Sequence, residues 1–228
     1  MFLFYSPAYL AFMLPGLALA LFASILTKTR FARYSRVSAR SGVSGARAAQ
    51  MLLDAKGIGD AVRIEPTRGF LSDHYDPTSR TLRLSPAVYQ SPSLAAVGVA
   101  CHEAGHAIQH AEKYAPLGLR TALVPAAQIG SNLSYPILLV GMFMGWHPVL
   151  INLGCILLGA AVLFTVVTLP VEWDASARAK KLMVRAGIVT PAEMGGAAKV
   201  LNAAFLTYVA SAVTAILQLL YVLSRARR

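Results

Sequence analysis

The chain has 228 residues, 56% of them hydrophobic and only 14% charged, with a mean hydropathy of +0.56 and a formal net charge of +11. A soluble domain carries about 25% charged residues, so this composition excludes a disordered chain, a fibrous repeat and an ordinary soluble enzyme. Residues 28–120 hold 13 of the 21 Lys and Arg, which also excludes a chain wholly buried in lipid and makes anionic lipid, not nucleic acid, the expected partner of the positive charge.

Met1–Leu26 carries no charge and has the roughly 20 apolar residues that a bilayer core requires. Its positive charges, Lys28, Arg30, Arg33, Arg36 and Arg40, follow the apolar stretch. A secretory signal would place them before it, so residues 1–27 read as a retained transmembrane anchor. Ser44–Gly57 predicts a helix capped by Ser44, with Ala48, Met51, Leu52 and Ala55 on its apolar face and Gly57 at its end. Ala61–Glu65 is a short alternating stretch closed by Pro66. Phe70–Tyr75 and Thr81–Leu84 flank the turn-forming Asp76-Pro77-Thr78-Ser79 and predict a β-hairpin. Ser91-Pro92 predicts the start of a helix running to about His110.

Thr121–Pro170 is a stretch of 50 residues without Asp, Glu, Lys or Arg, long enough for two spans that break near Gly145-Trp146-His147-Pro148. The expected spans are Ala122–Met144 and Pro148–Leu169, with a last one over Val200–Leu223. Its Asn202, Thr207, Ser211, Thr214 and Gln218 are expected contacts between helices. The expected organisation is therefore an anchor (1–27), a cytosolic domain (28–120), a transmembrane hairpin (121–170), a cytosolic helix (171–199) and a final transmembrane helix with a basic tail (200–228). The fold class is a mainly α membrane protein of about four transmembrane helices, with a small α+β domain. Segments 28–120 and 171–199 hold 18 of the Lys and Arg and the tail holds 3. The positive-inside rule then places the two larger segments in the cytoplasm, in a multi-pass membrane protein. The tail's Arg225, Arg227 and Arg228 oppose that rule. Cys101 and Cys155 make no disulfide framework.

Inside the predicted helix stands His102-Glu103-Ala104-Gly105-His106. Histidines at i and i+4 share one helix face, so both imidazoles reach one zinc ion at about 2.0–2.1 Å. Glu103 sits beside such an ion. Zinc lowers the pKa of a bound water to about 7, and a carboxylate there takes its proton. An open catalytic site needs a third protein ligand. The candidates are His110, His74, His147, Cys101 and a distant carboxylate. A straight helix carries His110 past the ion, Cys101 points off the ligand face, and His147 belongs to the far tip of the hairpin. Glu172 follows the hairpin where the chain returns, with Ser176 one turn on as its neighbour and Asp174 rotated away. The competing reading makes Glu172 and Asp174 the polar end of a membrane helix.

These residues resemble the bacterial membrane-embedded neutral zinc metallopeptidases, the YugP-like group, over nearly the whole chain. The stretches that carry the likeness are Asp73-His74-Tyr75-Asp76-Pro77, Leu84-Ser85-Pro86, Ser93–Val97 running into His102–Ala107, and Leu169-Pro170-Val171-Glu172 with Ala175-Ser176. The resemblance implies a zincin-like α+β domain in a protein of the bacterial cell membrane, with one Zn2+ held by His102, His106 and Glu172 and with Glu103 as general base. Related zinc peptidases carry an acid where Ala175 or Ser176 stands. In peptidases of this kind an edge strand pairs with the substrate backbone, which would make His74 or Tyr75 a substrate or oxyanion contact; the plainer reading of Asp73–Pro77 is a hairpin turn.

The expected function is a membrane-anchored zinc endopeptidase hydrolysing peptide bonds through a zinc-bound water activated by Glu103. The alternatives are an intramembrane protease of the site-2 type and a non-catalytic zinc-binding scaffold. Leu94–Cys101 gives too short an apolar lead for the first, and the intact Glu103 argues against the second. The expected partners are a protein or peptide substrate and the bilayer, with a membrane-protein partner or a second copy of the chain as further options and nucleic acid excluded.

Overall fold

The computed structural model describes residues 7–69 and 72–226. In chain order it contains α1 (Pro7–Tyr34), α2 (Gly45–Asp54), β1 (Arg63–Pro66), β2 (His74–Asp76), β3 (Thr81–Leu84), α3 (Pro86–Tyr89), α4 (Leu94–Ala111), α5 (Ala115–Phe143), α6 (Pro148–Arg185) and α7 (Pro191–Ala226). α1, α5, α6 and α7 are long and apolar enough to cross a membrane. The protein is thus a mainly α membrane protein with a small α+β part. It divides into two compact units. One comprises the residues up to Ala23, Gly118–Pro170 and Leu206 onward; the other comprises Ser24–Leu117 and Val171–Phe205.

The first unit is made of apolar helix. Leu138, Ile151, Cys155 and Leu158 form its small core, with Leu219 and Val222 packed against them. Leu14, Leu17, Leu21, Phe143 and Ile156 remain exposed, which is what a lipid solvent favours. The break falls in the predicted turn, where Gly145 and Trp146 adopt φ of 73° and 64°. The polar residues of α7 do not all serve one purpose. Gln218 accepts from the Tyr135 hydroxyl of α5 at 2.6 Å, whereas Thr214 turns back on its own helix at Ala210 O.

The second unit has a denser core, in which Leu52, Leu53, Leu82, Leu84, Val97 and Met183 are buried together. Ser44 caps α2 by accepting from Arg47 N. The helix stops at Asp54, because Gly57 takes φ +69° and the Gly57 and Ile58 amides return to Asp54 O and Leu53 O. Its buried face is Ala48, Ala49, Leu52 and Leu53. Ala55, expected on that face, lies past the helix end and is exposed. The second predicted helix starts later than Ser91-Pro92. Ser93 is its true cap, its hydroxyl accepting from Ala96 N at 3.2 Å.

The predicted hairpin is present as β2 and β3, paired antiparallel with Tyr75 opposite Leu82; Phe70 and Leu71 of the expected first strand lie outside the described residues. The Asp76 carboxylate closes the turn by accepting from Thr78 N at 2.9 Å and from the Ser79 hydroxyl at 2.6 Å. The Ser79 hydroxyl foremost, with Arg83 and the turn amides, lowers its pKa to about 2. The sheet has a third member. β1 pairs with β3 in parallel, giving the order β1-β3-β2 and leaving β2 at an edge. Two strands of four residues, distant in sequence, carry no local signal for that pairing.

Candidate metal centre

Both histidines stand on α4, and the helical period stacks their rings edge to face with centroids 4.8 Å apart. Glu172 comes from α6, which runs unbroken through Pro170. The two helices meet at Gly105. A Cβ there would lie 2.6 Å from Ala175 O, so only glycine admits this approach. As a result Glu172 Oε2 sits 3.2 Å from His102 Nε2 and 3.5 Å from His106 Nε2. Among the described residues His102, His106 and Glu172 form one group that could hold a metal ion, with one donor atom from each lying within 4.8 Å of the others.

Burial sharpens the electrostatics. Glu172 is 2% exposed, His106 7% and Glu103 9%. At His106 burial opposes the charged ring, but the Glu172 carboxylate, followed by Glu103, outweighs it and raises the pKa. At Glu172 burial opposes ionisation, and the two imidazoles overcome it and hold the carboxyl well below the usual range. A buried carboxylate facing two ring nitrogens is a place where a cation is favoured.

Each ring nitrogen on the far side has a partner. Ser176 Oγ lies 3.1 Å from His102 Nδ1, so the hydroxyl expected beside Glu172 contacts the histidine instead. His106 Nδ1 lies 3.0 Å from Gln109 Oε1. Gln109 in turn donates to Val171 O and to Asp174 Oδ2, both at 2.8 Å. Sequence reasoning missed Gln109. Its one local signal was a polar residue three positions after His106, on the ligand face of the helix. Glu103 makes no hydrogen bond among the described residues.

The other candidates lie elsewhere. His110 Nδ1 meets the Tyr75 hydroxyl at 2.9 Å, which joins edge strand β2 to α4 one turn beyond His106. His74 is exposed and its ring pairs with Ser72 O at 2.8 Å. Cys101 is fully buried, and burial raises its thiol pKa; it packs in the core of this unit. His147 lies in the turn between α5 and α6. Asp174 points to Gln109 and to Arg178, which also pairs with Glu112.

Gly105→Ala is expected to force α4 from α6 and to cost about 1–3 kcal/mol, the range for overpacking a filled interior. Because the displaced surface carries the donor atoms, the capacity of the group to take up a metal ion should fall together with thermal stability. Melting of the purified protein with and without added zinc checks this; unchanged melting and zinc content would mean the helices do not meet at this residue.

A family model described as "Putative neutral zinc metallopeptidase" matches residues 9–227. A curated relative, "Putative membrane protease YugP" of Bacillus subtilis (strain 168), is 46% identical over 205 residues, covering 90% of this chain and 90% of the relative. No solved structure matches the chain.

Proposed function

Because the chain belongs to the neutral zinc metallopeptidase family, we propose that it is a membrane-anchored endopeptidase with one zinc held by His102, His106 and Glu172 and with Glu103 as its general base. The observation that carries this reading is the meeting of three donor atoms, from two helices, within 4.8 Å. The donor set suits zinc: two imidazole nitrogens and one carboxylate oxygen, with room in a tetrahedral shell for one further ligand. Zinc bound there would supply Lewis acidity toward a water and toward a scissile carbonyl.

The protein's own groups do the rest. Glu172 and the two imidazoles bind and orient. The Glu103 carboxylate follows the first ligand on α4, is nearly buried, and is held by no hydrogen bond among the described residues. It is free to accept a proton from the attacking water and to deliver it to the leaving nitrogen. A scaffold would have no use for such an unengaged acid, which counts against a non-catalytic role. The intramembrane alternative is disfavoured because α4 is not among the four helices long and apolar enough to span. Tyr75, on edge strand β2 and bonded to α4 through His110, is the better placed of the two proposed substrate contacts. Hydrolysis of a flexible peptide by the purified full-length protein, abolished by a chelator and restored by zinc, tests the proposal; hydrolysis that persists in the metal-free protein contradicts it.

The basic asymmetry supports a cytoplasmic active site. In a background lacking Cys101 and Cys155, cysteines are placed at Ser79 and at Met144. An impermeant thiol reagent applied to intact cells is expected to label position 144 and to spare position 79. The reverse pattern would put the substrate pool outside.

A further inference from the structure

Gln109 is fully buried, and its amide has two unlike ends. The Nε2 end donates to Val171 O and Asp174 Oδ2, each at 2.8 Å. A backbone carbonyl and a carboxylate only accept, so this end cannot be the oxygen. The Oε1 end therefore faces His106 Nδ1 at 3.0 Å, and it too can only accept. Nδ1 must then carry the proton. In a neutral ring this leaves Nε2 bare, and Nε2 is the atom directed at Glu172. Turning the amide over would set its oxygen against two oxygens in a buried place. His102 has no such lock, because its Nδ1 partner is the Ser176 hydroxyl, which donates or accepts equally well. Gln109 also bridges α4 to α6 beside Glu172, and Asp174 is itself held by Arg178.

We propose that Gln109, oriented by Asp174, is a positioning residue that fixes His106 in the Nδ1–H tautomer and so presents its Nε2 lone pair to the metal. This rests on the zinc-site reading above. It follows from acceptors and donors alone and requires no contact between Gln109 and the ion. Asp174 acts through Gln109, so its loss leaves the amide held by Val171 O alone, whereas loss of Gln109 removes the lock altogether.

The test is the zinc affinity of the full-length protein in detergent, measured by competition with a chelator. Gln109→Leu, Asp174→Ala and the double variant are compared with wild type, with elution profile and helical content monitored. Loss of a hydrogen-bond partner behind a ligating histidine costs about 10–100-fold in affinity, and Gln109→Leu is expected in that range. Asp174→Ala should lose less, and the double variant no more than Gln109→Leu alone, since one residue acts through the other. Cobalt substituted for zinc should show altered visible bands in Gln109→Leu, which a change in stability alone would not produce. If Gln109→Leu does not fold, Asp174→Ala decides: it must weaken zinc while eluting as wild type does. Losses that add, or folded variants that bind zinc as tightly as wild type, overturn this inference and leave the zinc site standing. A wild-type protein that takes up no zinc overturns both.

Discussion

Glu103→Gln is expected to keep its zinc and to lose peptide hydrolysis by roughly 10²–10⁴-fold, the usual contribution of a positioned general base. The substitution is isosteric and leaves His102, His106 and Glu172 in place. Among the described residues Glu103 makes no hydrogen bond, so the substitution breaks none there. What disappears is a group able to take a proton at neutral pH. The loss should fall on kcat more than on KM, because the proton moves in the transition state. Zinc content and turnover of one preparation check this together. Normal turnover with full zinc would remove Glu103 from the mechanism.

Glu172→Ala is expected to weaken zinc binding by more than the roughly 10–100-fold that a lost partner behind a ligand costs. Here a donor itself is removed, and with it the only carboxylate within 3.5 Å of both Nε2 atoms in the described structure. His110→Ala should leave zinc content unchanged, since His110 is not in the group of donors that could hold the ion. Glu172 lies in a continuous helix and its replacement removes no cap or turn, so the variant should still elute as a single species. Zinc-to-protein ratios decide the matter. Retention by Glu172→Ala with loss in His110→Ala would mean that α4 bends after His106 in the metal-bound protein.

What the sequence disclosed depended on how local each signal was. The pairing of His102 with His106 needs only the helical period, so the motif could be read at once. The juxtaposition of Glu172 with that pair spans 70 residues; it was legible because a charge-free hairpin sends the chain out and back. Ser44 and the Asp76 turn were legible as capping and turn chemistry. The start of α4 at Ser93 was not legible, because two serines two residues apart differ only in which hydroxyl reaches a free amide. The parallel β1–β3 pairing and the bridge made by Gln109 were out of reach for one reason. Gln109 meets Val171 and Asp174, 62 and 65 residues away, and nothing in its neighbourhood says so. The need for glycine at position 105 was hidden likewise, since the atom that excludes a side chain belongs to another helix.

The central claim is that one zinc is held by two imidazoles of α4 and one carboxylate of α6. X-ray absorption at the zinc edge of the purified full-length protein, with elemental analysis of the same sample, tests it most directly. The expected result is one zinc per chain, a shell of nitrogen and oxygen at about 2.0–2.2 Å, scattering from two imidazole rings and no sulfur. A zinc–sulfur distance of about 2.3 Å, which would bring in a cysteine, or a shell of three imidazoles would contradict it.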